Sequence, residues 1–386
     1  MPGRIAFVGI DRQIHLVDHD GGNAQQLTLS LADNPLMLWG QPQLERKAWS
    51  WPTWSPDGRS VACFELPDGD DVSGPARVHI LDVGGVQQRE LLELSGCVPL
   101  YCHWRPDSSG LLVLVQDDDQ LRLSYTGLDQ LGQARVLEEG VPLFFCWAPD
   151  ARGVLIHTAS GGPGRGRVVL RDCLGRRSDE ILPQEPGNYC APVVVGEEVA
   201  HVERLPTGNR LLRSTIDGSG VRELLRFRGL GAIVPAGQDR MVFSAAPEGE
   251  GTPYRGLTLI DGYEQLPLAE DDSLAFMWSE ARGELLYARL DTENNCLAWR
   301  AVAPGRPPRE LCRFWPSREL LFYLHFFDQF VHSHHLVDPS GRHLVFSGHP
   351  VSDTPPSGPP SVLVLDIETG ELTELDAGGF ACFRPC

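Results

Sequence analysis

Trp54-Ser55-Pro56-Asp57-Gly58-Arg59, followed by the apolar run Val61-Ala62-Cys63-Phe64, is the stretch that decides the fold, because the chain repeats it. Each residue has a local reason to be there. Proline pre-sets the backbone angle of a tight turn, aspartate caps it, and glycine takes the positive φ that the turn needs before the next strand starts. The pattern returns at Trp104-Arg105-Pro106-Asp107 ahead of Leu111–Val115, and at Trp147-Ala148-Pro149-Asp150 ahead of Val154-Leu155-Ile156. Weaker copies are Trp278-Ser279-Glu280 and Val337-Asp338-Pro339-Ser340-Gly341. Two more, at Pro192 and Pro235, have lost the tryptophan.

Successive anchors, Pro56, Pro106, Pro149, Pro192, Pro235, Glu280 and Pro339, lie 43 to 59 residues apart. Each interval holds four short apolar strands, as in Arg77–Asp82, Arg89–Leu92 and Pro99–Trp104. Four antiparallel strands at this period are the unit of a β-propeller. The C-terminal Phe380-Ala381-Cys382-Phe383-Arg384-Pro385 reads as the strand and first half of the motif, and Met1-Pro2-Gly3-Arg4-Ile5-Ala6-Phe7-Val8 as the second half and the next strand. Residues 1–386 are therefore expected to form one all-β domain, an eight-bladed β-propeller of four-stranded antiparallel blades. One blade is shared by residues 1–50 and 380–386, and pairing of the terminal segments closes the ring; seven blades is the alternative. Trp54, Trp104, Trp147 and Trp278 are expected to fill gaps between blades. With Pro56, Asp57, Gly58, Pro106, Asp107, Pro149, Asp150, Pro339 and Gly341 they read as structural residues.

The Trp-Ser-Pro-Asp-Gly-Arg pattern resembles the TolB-like, WD40-like (PD40) propeller repeats, which also build the propeller domains of prolyl-oligopeptidase and dipeptidyl-peptidase-IV type proteins. The resemblance implies the fold and leaves function open, since propellers host unrelated activities. TolB itself is periplasmic with an added N-terminal domain, and the peptidases carry a hydrolase domain after the propeller; neither feature is read here.

A formal net charge of −19 argues against DNA and anionic lipid as partners, because both demand basic surface. No apolar stretch is long enough for membrane insertion, and the N-terminal run Ile5–Val8 is too short for a signal peptide. Ten cysteines without a C-x-x-C suggest free thiols in a cytoplasmic protein. Without a G-x-S-x-G elbow, a Walker loop or a dinucleotide fingerprint, no catalytic residue and no cofactor is assigned. The expected function is a non-catalytic scaffold that docks a protein or peptide partner on one face. The rival is a propeller enzyme or small-ligand sensor working in the central funnel.

The longest interval holds the most unusual segment, Leu320–Leu336, with His325, His332, His334 and His335 among aromatic residues. Its histidine alternation fits an aromatic inner strand with a short insertion at the channel mouth. A metal is not expected, since ligand spacing is poor apart from Asp328. Tyr323, Phe326, Phe327, Asp328, Phe330, His332 and His335 are the candidate binding residues, as aromatic insertions on a regular scaffold often carry contacts. Cys102, Cys146, Cys190 and Cys382, each just before an anchor, read as small core residues. The acidic runs at Asp68, Asp70 and Asp71, at Asp117–Asp119 and at Glu270–Asp272 read as solvated turns or blade junctions.

Overall fold

A computed structural model describes residues 3–28, 47–67, 74–84, 87–159, 166–176, 180–182, 185–187, 190–249, 252–352 and 356–385. The acidic run at 68–71 lies outside them. The described chain is antiparallel β-sheet throughout, with two short helices. Four four-stranded sheets cover residues 47–94, 98–140, 143–181 and 193–227, each strand pairing with its neighbour in sequence. A thirteen-stranded sheet runs from residue 230 to 383 and continues into strands within residues 4–26. That continuation joins the strand Leu372–Phe383 to the strand Arg4–Gly9, with Ile5 opposite Phe383, Ala6 opposite Cys382 and Val8 opposite Phe380.

The turn chemistry behind this arrangement is visible atom by atom. Asp57 Oδ1 accepts the Arg59 N–H at 3.1 Å, Asp107 Oδ1 accepts that of Ser109 at 3.0 Å, and Asp150 Oδ1 accepts that of Arg152 at 2.9 Å. Gly58 sits at φ +64°, and where glycine is missing Ser108 (+62°) and Ala151 (+53°) take the same left-handed conformation. The turn geometry therefore outlasts its best residue.

The anchor tryptophans tie one sheet to the sheet before it. Trp104 Nε1 donates to the Thr53 carbonyl at 2.9 Å, and Trp54 Nε1 to the Cys382 carbonyl at 3.3 Å. Trp147 packs edge-on against Tyr125 and His103 of the preceding sheet. Burying one such indole removes roughly 200 Å² from water, or about 5 kcal/mol by area. Trp278 is half-buried, its Nε1 donates to Glu280 of its own turn, and Arg240 lies over its ring.

A second repeat marks the outer strands: Arg89-Glu90-Leu91, Arg222-Glu223-Leu224 and Arg309-Glu310-Leu311. In all three sheets the register slips beside this motif, between Val78 and His79, Leu211 and Leu212, and Trp299 and Arg300. Such bulges bend a strand and increase its twist.

The Leu320–Leu336 segment corrects the strand reading. It forms helix α1 (Arg318–His325) and the single turn α2 (Phe327–Phe330). Ser317 caps α1, its Oγ accepting the Leu320 N–H at 3.0 Å, and Leu320, Tyr323 and Leu324 make the buried stripe at helical spacing.

Candidate functional site

The segment that follows Ser317 lies among the first strands of several sheets and is pinned to them by buried polar groups. The Gln329 amide grips one residue of the strand Leu143–Trp147. Its Oε1 accepts the Phe145 N–H at 2.8 Å and its Nε2 donates to the Phe145 carbonyl at 2.9 Å. Asp328 Oδ2 accepts the Ala191 N–H at 3.1 Å. His334 is fully buried: its Nε2 lies 2.9 Å from Thr53 Oγ1 and its Nδ1 2.9 Å from Ser333 Oγ, which also meets the Tyr101 hydroxyl at 2.5 Å. Tyr323 donates its hydroxyl to the His334 carbonyl at 3.1 Å. Rings complete the seat: Phe327 packs on Phe276 at 4.7 Å, and Phe330 on Tyr101 at 4.9 Å and Trp51 at 5.3 Å.

Of the seven residues picked out by sequence for binding, Tyr323, Phe327, Asp328 and Phe330 are buried, and Phe326, His332 and His335 are half-buried. What α1 exposes instead is Leu321 and Phe322. Desolvation governs the titratable groups of the segment. It pushes the Asp328 carboxyl up to about 6 despite backbone N–H donors that include Ala191 and Gln329, and lowers His332 to about 4 and His334 to about 3. His103 is lowered too, by burial first and then by His332, His334 and His335 around it. These imidazoles are neutral at pH 7. Among the described residues no group of three or more His, Cys, Asp or Glu is placed to hold a metal ion. Cys102, Cys146, Cys190 and Cys382 are all buried, and burial raises Cys102 and Cys146 to about 12, so they pack as thiols.

Beside this segment opens a cavity of about 690 Å³, lined by Arg12, Trp49, Trp51, Arg318, Glu319, His349 and Phe380 among others. Its wall is assembled from several distant parts of the chain. Arg12 stands in the turn after the strand Arg4–Gly9, where its carbonyl accepts the Trp49 N–H at 2.8 Å. Trp51 sits in an irregularity of the strand Lys47–Trp54, where the register shifts between Ser50 and Thr53. There it holds φ +57°, a costly conformation for an aromatic residue, while its indole stacks on Phe380 at 4.6 Å. Trp51 is 9% exposed, and its buried indole N–H finds no acceptor among the described residues. Glu319 lies over Gly379, where an added Cβ would come 3.0 Å from its carboxylate. Sequence reading missed this site. The one signal available was Trp49-Ser50-Trp51, two tryptophans ahead of an anchor that already has its own.

No family model and no curated protein matches the chain. Solved structures do. A prolyl endopeptidase structure aligns with a TM-score of 0.59 at 15% identity, covering 87% of this chain and 50% of that one. Dihydro-heme d1 dehydrogenase NirN in complex with DHE aligns with a TM-score of 0.58 at 12% identity, covering 98% and 74%. TolB from Acinetobacter baumannii is also matched, at 16% identity over 70% of this chain and 64% of that one, but its TM-score of 0.38 carries no argument. The chain thus spans half the length of the prolyl endopeptidase. Both the prolyl endopeptidase and NirN are enzymes by name, which overturns the expectation of a non-catalytic docking scaffold that is not an enzyme. At such identities the likeness itself concerns architecture: the chain is a β-propeller of the kind found in prolyl endopeptidase-like proteins.

Proposed function

We propose that this propeller works through a small ligand taken into the cavity beside Trp51, at one mouth of a ring of eight blades whose axis is filled by residues 317–336. Two observations favour eight blades. The strands Glu264–Ser279 and Leu372–Phe383 are long and carry register shifts, so each can end one four-stranded unit and begin the next. The strand pairing of Ile5 with Phe383 favours closure of the last unit on the first. The filled axis leaves chemistry to the mouth.

The observation that carries the ligand reading is Trp51. It lines a cavity of about 690 Å³ while its bulky side chain stands on a backbone held at φ +57°, strain of the kind that collects at ligand sites. The cavity volume falls in the range of small-molecule sites, and its mix of indole wall and few charged groups is their usual composition. Glu319 and His349 in the same wall are the titratable groups that acid–base chemistry would draw on.

The test is a fragment screen by saturation-transfer NMR on the wild-type protein and on Gly379→Leu. At Gly379 the nearest obstacle is the flexible end of Glu319, so leucine can be accommodated while it occupies the cavity. Fragments that bind the wild type and are lost in Gly379→Leu support the site. A screen with no hits, or hits that bind both proteins alike, sinks it.

A further inference from the structure

Resting on that reading of the cavity, we infer that its ligand carries a saturated aliphatic chain, taken up along Ile10, Leu66 and the prolines of the wall. The aromatic members of the wall are covered. Trp49 is 2% exposed, Trp51 9% and Phe380 1%, so they back the cavity and offer a ligand little ring face. The apolar surface left to touch is aliphatic. Ile10 is 62% exposed, Pro359 is exposed, and Val8, Leu66, Pro316 and Pro360 are half-buried.

The polar groups around that surface have little to give a polar ligand. Proline carries no backbone N–H, so Pro316, Pro359 and Pro360 supply no main-chain donor to the wall. Ser317 is already engaged: its Oγ donates to the Gly379 carbonyl at 2.6 Å, meets Ser347 Oγ at 2.7 Å and accepts the Leu320 N–H at 3.0 Å. The Gly379 carbonyl takes the Ser347 hydroxyl as well. Arg318 and Glu319, adjacent at the head of α1, offset each other in charge.

Apolar surface continues past the edge of the cavity. Phe322, one helical turn along α1 from Arg318, is exposed, and so is Val351, two residues beyond His349. Exposed apolar side chains gathered about a concave site with a polar border mark ligand grooves. A chain laid along Ile10 and Leu66 covers carbon that water otherwise has to solvate, and it asks for none of the hydrogen bonds that this wall lacks.

Calorimetric titration with hexyl, octyl and phenyl β-glucosides, all uncharged and kept below micelle-forming concentrations, tests the inference. Each CH2 moved from water into an apolar site tightens binding about fourfold, so the octyl compound should bind roughly tenfold tighter than the hexyl. The phenyl compound should bind more weakly than the octyl. Ile10→Ser, at an exposed turn residue, should shrink the octyl-to-hexyl ratio, and Gly379→Leu should abolish octyl binding. A ratio near one, or phenyl binding as tight as octyl, overturns the aliphatic assignment. So does a ratio that survives both variants, because the chain is then taken elsewhere on the protein. If no glucoside binds while fragments still bind the wild type and are lost in Gly379→Leu, this inference fails and the cavity stands. If the fragments fail too, both readings fall.

Discussion

Replacing Gln329 by leucine isolates the contact on which the seating of residues 317–336 depends. The Gln329 amide is buried, and it alone supplies both an acceptor for the Phe145 N–H and a donor for the Phe145 carbonyl across the two bonds described above. Leucine keeps much of the volume and neither hydrogen bond. Two backbone groups of Phe145 are then buried without partners, each costing about 1–3 kcal/mol, so the loss should be about 2–6 kcal/mol. Against a typical total of about 5–15 kcal/mol that is a large fraction. Urea unfolding followed by tryptophan fluorescence should show the midpoint falling with an unchanged slope. Gln329→Glu separates hydrogen bonding from packing. It retains an acceptor for the Phe145 N–H but sets a carboxylate against the carbonyl, so it should be tolerated better at pH 5 than at pH 8. If Gln329→Leu costs less than about 0.5 kcal/mol, below even one lost buried bond, the segment is not seated through Phe145 and the account of a filled axis loses its main support.

Asp328 gives a pH-dependent prediction. Its carboxyl is raised from 3.8 to about 6 by burial, so the folded state binds the proton more tightly than the unfolded chain. Its charge therefore costs stability above about pH 6, and that cost fades as the pH falls toward 4. Asp328→Asn keeps an acceptor for Ala191 and removes the charge. It should stabilise at pH 8 by up to about 3 kcal/mol at 1.36 kcal/mol per unit, with little gain at pH 4; a gain equal at both pH values refutes the mechanism. Deleting residues 378–385 strips the partner from the strand Arg4–Gly9 and should cause aggregation or a large drop in melting temperature; an unchanged melting curve contradicts the pairing. Under denaturing, non-reducing conditions close to all ten cysteines should react with a thiol reagent; several protected residues would mean disulfides.

The repeat was legible because its physics is local. Pro56, Asp57 and Gly58 each act within their own turn, so a single strand of text carries their meaning, and Ser108 and Ala151 show the same turn surviving without glycine. Trp54 and Trp104 were legible for a different reason: a large side chain at a fixed offset from a turn must meet the neighbouring sheet. The Leu320–Leu336 segment misled because its histidines alternate like strand residues. Ser317 as a cap and Leu320, Tyr323 and Leu324 at helical spacing were the signals that outranked that alternation. The burial of Asp328 and Gln329 could not be read at all, since their partners Ala191 and Phe145 are more than a hundred residues away in sequence. The cavity is harder still. Arg12, Trp51, Arg318 and His349 meet only because distant strands are brought together, and no spacing in the sequence relates them.

A crystal structure of the wild-type protein soaked with the tightest-binding fragment tests the central claim most directly. The fragment should lie in the cavity between the Trp51–Phe380 stack and the head of α1. Density for it elsewhere, such as the hollow lined by Arg204, Asn209 and Arg228, with this cavity empty, would contradict the account.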